Sequence, residues 1–216
     1  ANMIEMGQIR AGLIVAGENG GPLVDTTIET LLAESDLTRR EVKTSFASLT
    51  IASAAVGVLL AHKDLSQSRP RLLGGAGQAA TEFNDLCRGN DDTGSRRESW
   101  SPLMNTDAET MMREGCKLAG ETWESTRKIL NWKNEDVSRV FCHQVGQMHR
   151  KLLYKTLGLD LEKDFSTLEF LGNTGAASLP SALALGAEEG RIKSGDKVAL
   201  LGIGSGLNCL MLGIEW

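Results

Sequence analysis

The sequence predicts an α/β fold built on a duplicated unit, and three observations carry that prediction. Short apolar runs suited to buried strands alternate with stretches of helical spacing, the pattern of strands covered by helices. Gly is abundant, with 24 of 216 residues, while aromatics are only 5%, which favours tight strand–loop–helix packing over an aromatic-rich binding surface. Residues 5–21 (EMGQIRAGLIVAGENGG) and 188–206 (EEGRIKSGDKVALLGIGSG) also share a layout. Each runs from a helix end through Gly-x-Ile-x-x-Gly (Gly7, Ile9, Gly12; Gly190, Ile192, Gly195) into an apolar strand and a Gly-bearing turn. The second copy has two extra residues before its strand. Such self-similarity suggests a repeated βαβ-type unit.

Composition excludes several classes of function. The net charge is −5 and no basic run stands out, so nucleic acid is not an expected partner. No apolar run approaches the roughly 20 residues that span a bilayer. The four cysteines (Cys87, Cys116, Cys142, Cys209) have no metal spacing, which suits free thiols in a reducing cytoplasm. The chain starts at Ala1 within a helix-like run, as a fragment, a processed chain or a piece of a longer protein would.

In chain order, Met3, Ile4, Met6 and Ile9 read as a helix over 2–9. Leu13–Val15 read as a strand buried on both faces. Asp25 reads as the N-cap of a helix to about Leu32, with Ile28, Leu31 and Leu32 on one face. The second half of 49–63 reads as a buried strand. The polar segment 64–70 marks the boundary between a first part, 1–66, and a second, 67–216. RLLGGAGQAA (71–80) is a strand, and 84–104 a long polar loop. Thr106 and Glu109 read as a capping box for a helix whose Met and Trp stripe is core. Residues 136–141 form a strand that delivers His143, 144–157 a helix, 165–171 a strand, and 178–189 a helix. The last two strands are 197–201 and 207–214.

Three places carry chemistry. His143 stands at a strand end, where side chains face the crevice of an α/β fold. Asn173 lies between Gly172 and Gly175, and its amide N–H could serve a developing oxyanion. Gly202, Ile203, Gly204 and Ser205 form a turn between two apolar runs. No helix follows that turn, so a dinucleotide loop is rejected, and its backbone N–H groups read as packed against a ligand carbonyl. Cys142 and His143 are adjacent, so their side chains oppose each other across the strand and form no dyad. Cys142 and Cys209 read as buried small hydrophobes, and His149 as an exposed or half-buried helix residue.

The motifs HQVG, EFLGNTGAASLP and LLGIGSGLNCLMLGIEW, with GQIRAGLIVAGE and GETWESTRKILNW, resemble the thiolase superfamily. Within it they are similar to the β-ketoacyl-acyl carrier protein synthase III-like branch, nearest the acyl-CoA condensing enzymes of long-chain olefin synthesis. The resemblance implies a duplicated αβαβα sandwich, with the second half complete and only the end of the first present. It implies Claisen condensation of acyl thioesters of coenzyme A or acyl carrier protein, without a cofactor, in a homodimer. His143 and Asn173 match the residues that hold the enolate oxygen. Gly202–Ser205 match a loop that helps form an oxyanion hole for the first acyl group. The family's nucleophilic Cys would lie before Ala1 and its Glu base is also absent, so none of the four cysteines takes that role. The alternatives are a decarboxylating synthase III and a non-catalytic fragment or subunit. A missing N-terminal segment or a second copy is the expected partner for surfaces the chain leaves open.

Overall fold

The strands that form the core are those whose apolar residues run without polar interruption. A computed structural model describes residues 1–66, 70–89 and 104–216. Most of the long polar loop at 84–104, and the 66/67 boundary, fall at or outside the edges of these residues.

The first part contains helix α1 (Asn2–Glu5), strand β1 (Ala11–Glu18), helices α2 (Gly21–Ala33) and α3 (Arg39–Ser45), and strand β2 (Ala54–Ala61). Then come strands β3 (Arg71–Ala79), β4 (Cys87–Gly89) and β5 (Met104–Thr106), and the long helix α4 (Ala108–Leu130). Strand β6 (Arg139–Cys142) and helices α5 (Gln147–Leu157), α6 (Leu168–Leu171) and α7 (Ser178–Glu188) lead to strands β7 (Lys197–Gly204) and β8 (Asn208–Glu215).

The main sheet has the order β3-β8-β7-β6, with β6 parallel to β7 and the other pairs antiparallel. Its alternation sorts side chains into two layers. Val140, Cys142, Ala199, Leu201, Cys209 and Met211 pack with Trp123 of α4 and with Leu153 and Leu157 of α5. Phe141, Val198 and Ile214 pack on the opposite face with Ala182 of α7. The sheet is therefore the middle of three layers, and β6 and β7 are apolar after their first residues, Arg139 and Lys197, because both faces are covered.

Helix α4 carries the expected core stripe, with Cys116, Leu118, Ala119 and Trp123 buried. Its cap lies one residue later than the sequence suggests. The Asp107 side chain accepts from the Thr110 N–H at 3.1 Å, satisfying one of the free donors of the first turn. Helix α2 begins four residues before Asp25, with Gly20 at the cap and Pro22 in its first turn, where a missing N–H costs nothing. Helix α1 ends at Glu5 rather than Ile9.

The repeat recurs in the backbone. Gly7 and Gly190 each follow a helix with nearly the same left-handed φ, 71° and 69°, and each leads into a strand paired antiparallel with the next in its sheet. The first copy differs in its surroundings. Among the described residues β1 pairs only with β2, from Ala11↔Ala61 to Glu18↔Ala54. Leu13, Ile14 and Val15 are 67%, 51% and 71% exposed. The expectation that they are buried on both faces is corrected: among the described residues no layer packs over these side chains.

Gly75 in β3 is fixed by close approach. A Cβ there would lie 2.0 Å from the Met211 carbonyl oxygen and 2.9 Å from Leu212 Cα. Gly75→Ala is expected to lower stability by about 1–3 kcal/mol, measured by urea denaturation. Gly17→Ala, with open space around its Cβ position, is expected to stay within about 0.5 kcal/mol.

Candidate active site

β6 delivers His143, whose N–H donates to the Leu201 carbonyl at 3.0 Å and so extends the ladder by one residue. By strand parity His143 follows Phe141, toward the α7 side, while Cys142 points into the opposite layer. Both neighbours of His143 are anchored. The Cys142 thiol lies 3.7 Å from Asp164 Oδ1, which also accepts from the Tyr154 hydroxyl at 2.6 Å. Arg150 pairs with the other oxygen of this fully buried carboxylate.

Gln144 is buried, and both ends of its side-chain amide are used. Oε1 accepts from the N–H groups of Thr167 and Leu168 at 2.8 and 2.7 Å, and Nε2 donates to the Phe165 carbonyl at 2.9 Å. Its own N–H faces Ser178 Oγ at 3.4 Å, at the start of α7. These bonds replace the ladder that a strand at 165–171 would have needed. That segment is instead an irregular stretch followed by the single-turn helix α6.

Asn173 ties the loop before α7 to the segment before β2. Its N–H donates to the Thr50 carbonyl at 3.0 Å, and its carbonyl accepts from Ala52 at 2.8 Å. Its side-chain oxygen accepts from the Gly175 N–H at 3.1 Å. The Oδ1 end is thereby occupied and the Nδ2 end remains to donate, the orientation an oxyanion requires. Gly172 and Gly175 have left-handed φ of 68° and 51°, as the sequence suggested, and both are also crowded. A Cβ on Gly172 would lie 3.0 Å from Ala52 Cβ, and one on Gly175 2.5 Å from Glu18 Oε1.

The glycine run differs from expectation. Gly202, Ile203 and Gly204 continue β7, paired with Leu210, Cys209 and Asn208. Only Ser205 stands in the turn, where its carbonyl accepts from Asn208 Nδ2 at 3.0 Å. The turn shrinks because β8 starts immediately after Leu207. Carbonyls of Lys197 and Leu201 bond residues on the β6 side, Ser138 and His143. By the two-residue period, Ile203 turns its N–H and C=O the same way, where β6 has already ended. Gly202–Gly204, with Gly77–Ala79 and Asn208–Leu210, line a shallow depression of about 520 Å³.

Two side chains join this site that sequence reasoning did not place there. Glu18, at the end of β1, accepts from the Ala176 N–H at 2.9 Å. Burial holds the His143 imidazole below the ordinary histidine range, and the charge of Glu18 offsets part of that. His149, read as exposed or half-buried, is in fact buried. Burial and the neighbouring His143 push it down to about 4. Sequence spacing carries no sign of the Glu18 contact, because its partners lie far along the chain. Burial raises the thiols of Cys116, to about 11, and of Cys142 and Cys209, which keeps them protonated at neutral pH. Cys142 and Cys209 are buried, as the sequence indicates.

The low value of His149 sets a pH window. The folded state prefers the neutral ring, so the unfolded chain binds more protons below about pH 6.5. Stability from this group is complete above about pH 6.5, falls as pH drops toward 4, and then levels off. His149→Gln is expected to flatten this acid loss by up to about 3 kcal/mol, measured by urea midpoints across that range. An unchanged slope would contradict it.

The fold as a whole is similar to that of known proteins. Residues 128–216 match the family model described as 3-oxoacyl-[acyl-carrier-protein] synthase III C terminal. The whole chain is 42% identical to an acyl-CoA:acyl-CoA alkyltransferase of Shewanella oneidensis and 37% identical to one of Xanthomonas campestris, covering 62% and 61% of them. A β-ketoacyl-[acyl-carrier-protein] synthase III of Natranaerobius thermophilus is 38% identical over 46% of the chain, which covers 30% of it. Among solved structures, Xanthomonas campestris OleA bound to cerulenin superposes over the whole chain with a TM-score of 0.90 at 37% identity, the chain covering 59% of it. An OleA variant with bound lauric acid and lauroyl-CoA gives 0.89 at 37% identity, with 60% covered. The chain thus spans about three fifths of the length of the curated relatives it matches. The chain thus has the thiolase-like fold of these structures and is similar, along its whole length, to acyl-CoA:acyl-CoA alkyltransferases of the OleA type and, in its C-terminal part, to 3-oxoacyl-acyl carrier protein synthases III.

Proposed function

We propose that the chain supplies the enolate-stabilising side of an acyltransferase that condenses acyl thioesters. The observation that carries this reading is the setting of Asn173. Its side-chain oxygen is held by the Gly175 N–H, which leaves the amide N–H to donate, and the next N–H of the same turn, that of Ala176, bonds Glu18, whose charge also acts on the His143 ring.

In this reading a Cys thiolate outside the chain attacks the carbonyl of a first acyl-CoA and releases the coenzyme A thiol. A carboxylate base outside the chain takes an α-proton from a second acyl-CoA, and His143 and Asn173 donate hydrogen bonds to the resulting enolate oxygen. The carbon attacks the acyl-enzyme, regenerates the thiolate and forms a β-ketoacyl thioester, whose hydrolysis yields a β-keto acid. Backbone of Gly202, Ile203, Gly204 and Ser205 flanks the first acyl group, and the open depression along β3, β7 and β8 receives part of the acyl or pantetheine chain. No cofactor takes part. Identity to acyl-CoA:acyl-CoA alkyltransferases over the whole chain supports two acyl-CoAs as substrates over a decarboxylating use of acyl carrier protein.

The exposed apolar residues of β1, together with Leu59 of β2 and Leu32 of α2, support a covered surface in the working protein. A further segment of the same protein or a second copy, as in a homodimer, would bury it. Among the described residues no helix is long and apolar enough to cross a membrane, and the proposed setting is the cytoplasm.

In the full-length protein carrying this chain, His143→Ala and Asn173→Ala are each expected to slow condensation about 10²–10³-fold, the effect of removing one oxyanion donor. Coenzyme A release in the acyl-transfer half-reaction should change far less. Rapid quench with two acyl-CoAs measures both steps, and equal loss of both would overturn the assigned roles.

A further inference from the structure

Glu18 occupies a place that the chemistry of condensation does not itself use. It ends β1, yet one carboxylate oxygen accepts from the Ala176 N–H at 2.9 Å. The Gly175–Ala177 turn folds closely against that side chain: a Cβ on Gly175, which has φ of 51°, would lie 2.5 Å from Glu18 Oε1 and 3.1 Å from its Cγ. The Gly175 N–H in turn fixes the Asn173 side-chain oxygen at 3.1 Å. A second line joins Glu18 to His143, whose ring feels the carboxylate charge. The two proposed oxyanion donors, one after β6 and one before α7, thus share a single carboxylate from the other sheet.

We propose that Glu18 is a positioning residue for this pair: it holds the Gly175–Ala177 turn against β1 and thereby aims the Asn173 amide at the enolate oxygen. This rests on the function proposed above. Glu18 itself touches neither substrate nor reacting atoms. The required part of the side chain is a hydrogen-bond acceptor at that distance from β1. A glutamine can present one through its amide oxygen, and an alanine cannot.

The test uses Glu18→Ala and Glu18→Gln in the full-length protein carrying this chain, with two readouts. Amide hydrogen exchange by NMR reports the turn. The Ala176 and Gly175 N–H groups should exchange at least about 10-fold faster in Glu18→Ala and stay protected in Glu18→Gln, since freeing a bonded N–H of about 1.4 kcal/mol gives that factor. Rapid-quench kinetics report the chemistry. Condensation should slow about 10- to 100-fold in Glu18→Ala with acyl transfer within a few-fold, and recover in Glu18→Gln. Unchanged exchange in Glu18→Ala, or a variant that loses both steps together with thermal stability, overturns the proposal. If the exchange result holds while the parent protein shows no condensation of acyl-CoAs, the proposed function fails and the positioning of the turn stands.

Discussion

The arrangement depends on one residue bonded in three directions. Asn173 is stitched by its backbone to Thr50 and Ala52, in the segment leading to β2. Its side-chain oxygen is tied to Gly175. The backbone bonds hold the loop before α7 against the first sheet. The side-chain bond decides which end of the amide is presented. Without the first pair the loop has no fixed address, and without the last the amide could turn its acceptor outward. A donor that must meet charge only as it develops works when it is already aimed.

The other elements serve that junction. The three-layer core of α4 and α5, the main sheet and α7 fixes where β6 stops. The buried Asp164 network and Gln144 then fix the chain immediately before and after His143. A buried carboxylate left unpaired would be strongly destabilising, so Arg150 and Tyr154 are part of what makes this anchor tolerable. Because β6 ends two residues short of Ile203, the β7 edge opens beside His143, and Gly202 and Gly204 keep that edge low.

Much of this was legible in the sequence where the signal was local. The apolar runs of β3, β7 and β8, the small-residue helix α7 and the strand before His143 follow from spacing alone. The glycines around Asn173 announced positive φ, and the structure has it at both. What the sequence misled on had a non-local cause. Residues 165–171 resemble a strand, but Gln144, more than twenty positions earlier, claims their N–H groups. Leu13–Val15 read as core because their composition is that of a buried strand, and composition does not say how many strands stand alongside. Glu18 gave no signal, since it lies 158 residues from Ala176 and acts only once the two sheets meet.

The central claim is that His143 and Asn173 share one oxygen of the substrate. A crystal structure of the full-length protein with an unreactive coenzyme A thioester analogue tests it most directly. The account predicts the analogue's carbonyl oxygen at about 3 Å from both the His143 ring and Asn173 Nδ2, with Asn173 Oδ1 still on the Gly175 N–H. An oxygen bound away from either residue, or an Asn173 amide turned so that Nδ2 faces Gly175, would contradict it.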